Sequence, residues 1–183
     1  FHIVGLPDSE VRESRERVRG ALLCSGYAFP SGRLTVNLSP ADIPKETGRL
    51  DLPIALAILL ASGQLRLPED GFMSGSDHPL PPQLKDCIFL GELSLSGALM
   101  RCRAAFPIAV NIFRQCPDAH VFMPLKSAIQ AARVSHLKVY GSNSLREVAD
   151  HLCGQAMLAR THPEAHSHHP PRPCRRGGLR LVH

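Results

Sequence analysis

"VNLSPADIPKETGRLDLPIALAILLASG", residues 36–63, opens as a strand and closes as a helix. Leu34, Val36 and Leu38 alternate with Thr35 and Asn37, the period-two pattern of a half-buried strand. Pro53 suits the first turn of a helix, where its missing N–H is no loss, and Gly63 is a natural stop. The stretch "LPIALAILLA" between them is apolar on every side, which predicts a helix at the centre of the molecule. The connecting loop carries Pro40, Asp42, Pro44, Lys45, Glu46, Gly48, Arg49 and Asp51. Charges and turn-formers between two buried elements are where α/β proteins often place a site. Two readings of this loop stand side by side. Lys45, Glu46 and Arg49, with Asp51, can form an exposed ionic patch. Alternatively, Asp51 caps the helix that follows while Pro44 and Gly48 set the turn, the reading favoured for Asp51.

On the N-terminal side, "FHIVGL" reads as a short buried strand closed by Pro7. A helix is predicted over 8–25, capped by Asp8 and stopped by Gly26, with Val11, Val18, Ala21 and Leu22 on one face. Its other face, "RESRERVR", interleaves Arg12, Arg15, Arg17 and Arg19 with Glu10, Glu13 and Glu16, and Glu13–Arg17 is a favourable i,i+4 pair. This predicts a solvated, ion-paired face rather than a phosphate contact. On the C-terminal side a polar connector spans 66–86, and "CIFLGELSLSGAL" predicts two strands around a turn at about Gly91–Gly97. A helix over 103–116 with Pro107 near its start, a strand "AHVFMP", a helix "LKSAIQAARV" and a strand "LKVYG" follow. Ser144 and Glu147 have capping-box spacing for a last helix, which Gly154 ends. Strands alternating with helices predict an α/β (α+β) sandwich.

An apolar content of 44% and a charged content of 20% are those of a globular protein with an ordinary core. The net charge of +5 is unevenly placed. Residues 155–183 hold five Arg and one acid, for +4, and residues 1–154 hold 16 basic and 15 acidic side chains, for +1. The body therefore carries no charge signature of nucleic-acid binding. Residues 160–183 are dominated by Arg, His and Pro without apolar periodicity, so 155–183 is predicted to be a disordered tail. A tail of this composition also fits an out-of-frame reading of GC-rich coding DNA. "HSHHP" and Cys174 lack regular ligand spacing, and no functional metal is expected there. No two of the six Cys are spaced C-x-x-C, which suits reduced thiols in the cytoplasm. The longest apolar run, residues 52–61, is half of what a bilayer span needs, and no membrane partner is expected.

The chain has no P-loop, G-x-S-x-G elbow, H-E-x-x-H or G-x-G-x-x-G. His2, His78, His120 and His136 are scattered through the body, and no nucleophile, base and oxyanion hole assemble from the sequence. No catalytic, cofactor-binding or metal residue is predicted.

Two long stretches carry a resemblance. They are "FHIVGLPDSEVRESRERVRGALLCSGYAFPSGRLTVNLSPADIPKETGRLDLPIALAILLASGQL" and "LGELSLSGALMRCRAAFPIAV", the latter followed by "VFMP" and "LREVADHLCG". Together, over about residues 1–154, they resemble the N-terminal domain of the bacterial Mg-chelatase-like AAA+ ATPases, the ComM (YifB) competence-protein group. The resemblance implies a Lon-protease-like sandwich, shared with the second domain of a small-subunit ribosomal protein and here lacking its first strands. It implies a domain that precedes a hexameric ATPase moving along DNA, associated with branch migration in natural transformation. ATP and Mg2+ would belong to that ATPase module. The partners it implies are the module, neighbouring subunits of the hexamer and, indirectly, DNA. Lys45, Glu46 and Arg49 are the residues such an interface would use. A stand-alone module binding protein or DNA, and a magnesium-chelatase-related subunit, are the alternatives.

In Lon proteases the equivalent loop carries a nucleophilic Ser, activated by a Lys on a later helix. Here the loop reads "KETGRLDLP" and the later helix "RCRAAFPIAV", with neither residue. A Ser–Lys dyad is therefore not expected, because the hydroxyl needs a base within reach.

Overall fold

The computed structural model describes residues 2–4, 8–38, 47–68 and 83–163. In chain order the elements are β1 (His2–Val4), α1 (Asp8–Cys24), β2 (Thr35–Asn37), α2 (Asp51–Ala61), β3 (Cys87–Phe89), β4 (Glu92–Leu93) and β5 (Leu99–Met100). They continue with α3 (Ala105–Gln115), β6 (His120–Pro124), α4 (Leu125–Ala131), β7 (Lys138–Ser142) and α5 (Leu145–Leu152). One-turn 3-10 helices precede α2 (Thr47–Leu50) and β3 (Leu84–Asp86). Mixed strands and helices give the α/β class that the alternation predicts.

The main sheet is parallel, in the order β3-β6-β7. Residues 88, 121 and 139 stand in register, as do 89, 122 and 140, and the strand period of two sends the two rows to opposite faces. Phe89, Phe122 and Tyr140 face one core, built with α2, α5 and the buried face of α1. Ile88, Val121 and Val139 face a second core, shared with α3 and α4. The sheet thus divides the apolar interior in two. A parallel pair β1-β2 and an antiparallel hairpin β4-β5 complete the strands described.

Helix α2 is as central as its composition requires, with Leu52, Ile54, Ala55, Leu56, Ile58 and Leu59 buried. Gly26, Gly63 and Gly154 take positive φ just beyond α1, α2 and α5, the left-handed stop that only glycine adopts without strain.

Two expectations need correction. The stretch 87–99 forms three strands rather than two. Gly91 leaves the ladder because its N–H donates to Arg49 O (3.0 Å) and its carbonyl accepts from Leu52 N (2.9 Å). These bonds dock it on the turn ahead of α2 and separate β3 from β4. The fold also continues past residue 154. Residues 155–163 run back as a strap along the free side of β7, where Thr161 N donates to Val139 O (2.8 Å) and Gly141 N to Thr161 Oγ1 (2.8 Å). Arg160 bridges Tyr140 in antiparallel sense and donates to Leu137 O (3.0 Å). The remainder of the expected tail, 164–183, lies outside the described residues.

Candidate functional site

Asp51 begins α2 and has no exposed surface. Its carboxylate accepts from Ser14 Oγ at 2.7 Å, Arg17 Nε at 2.6 Å, Arg17 Nη2 at 3.3 Å and Leu93 N at 3.2 Å. The expectation that Asp51 caps the helix is therefore corrected. Leu50 occupies the cap position without a side-chain cap bond, and Asp51 lies one residue inside, where its side chain points to α1 and β4. The solvated reading of α1 is corrected at the same point. Arg12, Glu13, Glu16 and Arg19 are exposed, but Ser14 is buried and Arg17 turns inward to Asp51. The predicted Glu13–Arg17 pair is present at 3.6 Å as the outer, weaker arm of this arrangement. The hydrogen bond to Asp51, opposed by partial burial, raises the Arg17 pKa and keeps the guanidinium charged. A carboxylate with all four donors in place joins α1, α2 and β4, and has no lone pair directed at a substrate.

Of the residues proposed for an interface, Arg49 is half-buried and donates to Arg103 O at 3.3 Å, bracing the turn where Ala104 takes a φ of +56° ahead of α3. Lys45 and Glu46 lie outside the described residues, as do His78 and the "HSHHP" stretch.

A second set of chemistry-bearing side chains lies between the main sheet and α5. Phe122 stacks on Phe89 and Tyr140, with ring centroids 5.1 and 5.0 Å apart. His151 of α5, 1% exposed, sits over Phe122 and Tyr140 at 5.1 and 5.6 Å. His120 stacks on Tyr140 and shares a 3.2 Å hydrogen bond with its hydroxyl through Nδ1. Burial first, then the charge of Lys138, lowers the His120 pKa. Burial first, then His120, lowers that of His151. The Cys87 thiol is pushed up to about 11, by burial first and the Asp86 carboxylate second, so it stays protonated at neutral pH and is a poor nucleophile. His2 and His136 are exposed and belong to neither cluster. Nothing in the sequence pattern singles out His151. Its position in a helix that begins "LREVADHL" fits a solvated residue equally well.

An open cleft of about 420 Å3 lies between α1 and residues 29–32, lined by Arg15, Glu16, Arg19 and Phe29 among others. Arg19 rests 5.2 Å from the centre of the Phe29 ring. Glu16 lines the same cleft, which therefore carries one acid against the two guanidinia.

The fold is of the mixed α/β class, and its buried polar cluster around Asp51 serves to join elements. A family model described as subunit ChlI of Mg-chelatase matches residues 1–127. Competence protein ComM of Haemophilus influenzae is 37% identical over 158 residues, which are 86% of this chain and 28% of that protein. Uncharacterized protein YifB of Salmonella typhimurium is 36% identical over the same shares of each chain. YifB of Escherichia coli is 46% identical over 112 residues, 61% of this chain and 19% of that protein. The chain is therefore of the Mg-chelatase-like class. Within that class it belongs to the ComM/YifB family. It spans a little over a quarter of the length of the curated relatives it matches across 158 residues.

Proposed function

We propose that this chain is a non-catalytic domain of a ComM/YifB-type AAA+ ATPase, positioning the parts that handle nucleotide and DNA during DNA processing in natural transformation. Its α/β sandwich is the Lon-protease-like one, and it works in the cytoplasm. The supporting observation is the state of Asp51. At the first residue of the central helix, next to the loop where a peptidase of this architecture holds its nucleophile, the chain places a carboxylate already accepting from Ser14, Arg17 and Leu93. Such a group fixes elements and abstracts no proton. ATP and Mg2+ belong to another part of the longer protein, because the sequence here has no P-loop lysine to reach the β and γ phosphates. In that protein Lys45, Glu46 and Arg49 face a neighbouring subunit or the ATPase module.

Two measurements test this reading. The purified chain, supplied with ATP and Mg2+ or with an unstructured peptide, is expected to turn over neither. Turnover that disappears on substituting a residue of the body overturns the non-catalytic assignment. In the full-length protein, Lys45→Ala with Arg49→Ala is expected to weaken subunit assembly in sedimentation velocity, and unchanged assembly removes the interface. A stand-alone nucleic-acid-binding module is the second reading, favoured by the Arg-rich residues 164–183. The flanking coding sequence separates the two, since a P-loop encoded in another frame just past the codon for Gly154 decides for the first reading.

A further inference from the structure

The strap 155–163 is fastened to the body at two kinds of point. At and just before β7, Thr161 N donates to Val139 O, the Thr161 hydroxyl accepts from Gly141 N, and the Arg160 guanidinium donates to Leu137 O. At α5 the strap uses one side chain, with Leu158 N donating to His151 Nδ1 at 2.9 Å. That bond fixes the tautomer: Nδ1 is an acceptor, so a neutral His151 carries its proton on Nε2. Nε2 is itself buried without a hydrogen-bond partner, among the Phe122 and Tyr140 rings. An imidazolium at this place would direct an Nδ1–H at the Leu158 N–H, donor against donor, and would hold a second buried N–H without an acceptor.

We propose that His151 is a pH-sensitive latch that holds the strap on β7 while neutral and releases it when protonated. Every element packed on the ring favours release. From β6 comes His120, whose charge acts on the ring, and from β7 comes the Tyr140 phenol. Lys138 and Arg160 act on His120, Arg160 also acts on Tyr140, and both add positive charge to the neighbourhood. Asp86 acts on His120, and Cys87, which acts on Tyr140, is protonated at neutral pH. On α5 itself Glu147, one turn before His151, is engaged by Ser142 Oγ and Asn143 N, the Asp150 carboxylate is engaged by Arg146 at 2.9 Å, and Cys153 follows beyond the helix. The other helix against α5 is α2, which offers only apolar residues from 52 to 61. A protonated His151 therefore finds no anion to receive it, and the lower-energy course is to open the contact with Leu158.

Release exposes the side of β7 now covered by residues 158–161 and frees the segment through which the chain runs on to residue 164. The latch stands on this geometry alone, and is independent of the function proposed above.

Amide hydrogen exchange by NMR on the full 183-residue chain tests it between pH 7.5 and 5, corrected for the intrinsic pH dependence of exchange. His151 and His120 are titrated in the same samples through their ring resonances. Protection of the Leu158 and Thr161 amides is expected to fall about tenfold per pH unit below about 6.5, until His151 itself has titrated in the latched state. Protection of the Leu90 and Leu52 amides, bonded to Phe122 O and Gly91 O inside the body, is expected to hold over the same range. His151→Gln, which keeps a neutral acceptor, is expected to flatten the strap's pH response, whereas His120→Phe is expected to retain it. Strap amides that stay protected while the His151 ring titrates overturn the latch. So does a loss of protection shared equally by Leu90 and Leu52, or one that follows His120. Should His151→Gln fail to fold, the ring titration of the native chain decides by the same criteria.

Discussion

Asp51 shows how much one side chain can be asked to hold. Its carboxylate has no exposed surface, while Arg17 keeps 20% of its side chain in contact with solvent. Removing one member of a buried ion pair typically costs about 3–5 kcal/mol, because the partner charge is left uncompensated. For Asp51→Ala the partly exposed Arg17 can recover some hydration, so a loss near about 3 kcal/mol is expected from urea unfolding at pH 7. Ser14 and the Leu93 N–H have no such recourse. A loss below about 1 kcal/mol would mean that the carboxylate is not the joint described above. Gly141 is the second residue under tight control. A Cβ there would lie 2.7 Å from Leu125 Cδ1, 2.9 Å from Ala128 Cβ and 3.0 Å from Leu125 Cα. The last of these is backbone, so α4 must move off β7 to make room. Gly141→Ala is expected to lower stability by at least about 1–3 kcal/mol, the usual range for overpacking, read as a lower Tm without loss of helix signal.

Among the elements, α5 carries its start signal in full. Ser144 Oγ accepts from Glu147 N at 3.3 Å, as the capping-box spacing predicts. Glu147 reaches one residue further back than the usual partner, since its Oε2 accepts from Asn143 N (2.9 Å) and Ser142 Oγ (3.0 Å). The carboxylate therefore ties the end of β7 to the start of α5. Ser144→Ala is expected to cost about 1 kcal/mol in chemical denaturation. Combined with Glu147→Ala, the loss should fall short of the sum of the single losses, because the two side chains share one turn. Elements with a local signal were legible in this way. The alternation of 34–38, the apolar run of α2, and the glycine stops at 26, 63 and 154 each depend on neighbours in sequence. What escaped depends on partners far along the chain. Gly91 leaves its ladder for Arg49 and Leu52, and Asp51 is claimed by residues on α1 and β4. The strap has no periodicity to detect, because it docks through a few scattered bonds, two from its backbone N–H groups and two from the Thr161 and Arg160 side chains.

At the scale of the whole molecule the main sheet separates two apolar cores, and the strap closes the side of β7 that would otherwise present free N–H and C=O groups. No helix among the described residues is long and apolar enough to cross a membrane. The strap also moves the boundary that matters for charge. Counting Arg160 with the body, residues 1–163 hold 17 basic and 15 acidic side chains, for +2, and residues 164–183 hold four Arg and Glu164, for +3. Most of the excess positive charge thus lies beyond the strap, in about a ninth of the length where it is opposed by a single acid. Affinity for nucleic acid that arises from phosphate neutralisation scales with the number of cations engaged, so that log affinity falls with log salt at a slope of about −0.9 per phosphate contact on a duplex. If four Arg supply it, the slope for the full chain is expected to be no steeper than about −4. A chain ending at residue 163 should lose that affinity while keeping the Tm of the full chain, because the strap remains in place. A chain ending at residue 154 should melt lower, with the side of β7 and the His151 ring uncovered. Fluorescence anisotropy with a short duplex across a salt series, paired with thermal melts of the three chains, separates these effects. Affinity that persists in the chain ending at 163 would mean that the near-neutral body carries a nucleic-acid surface its overall charge does not reveal.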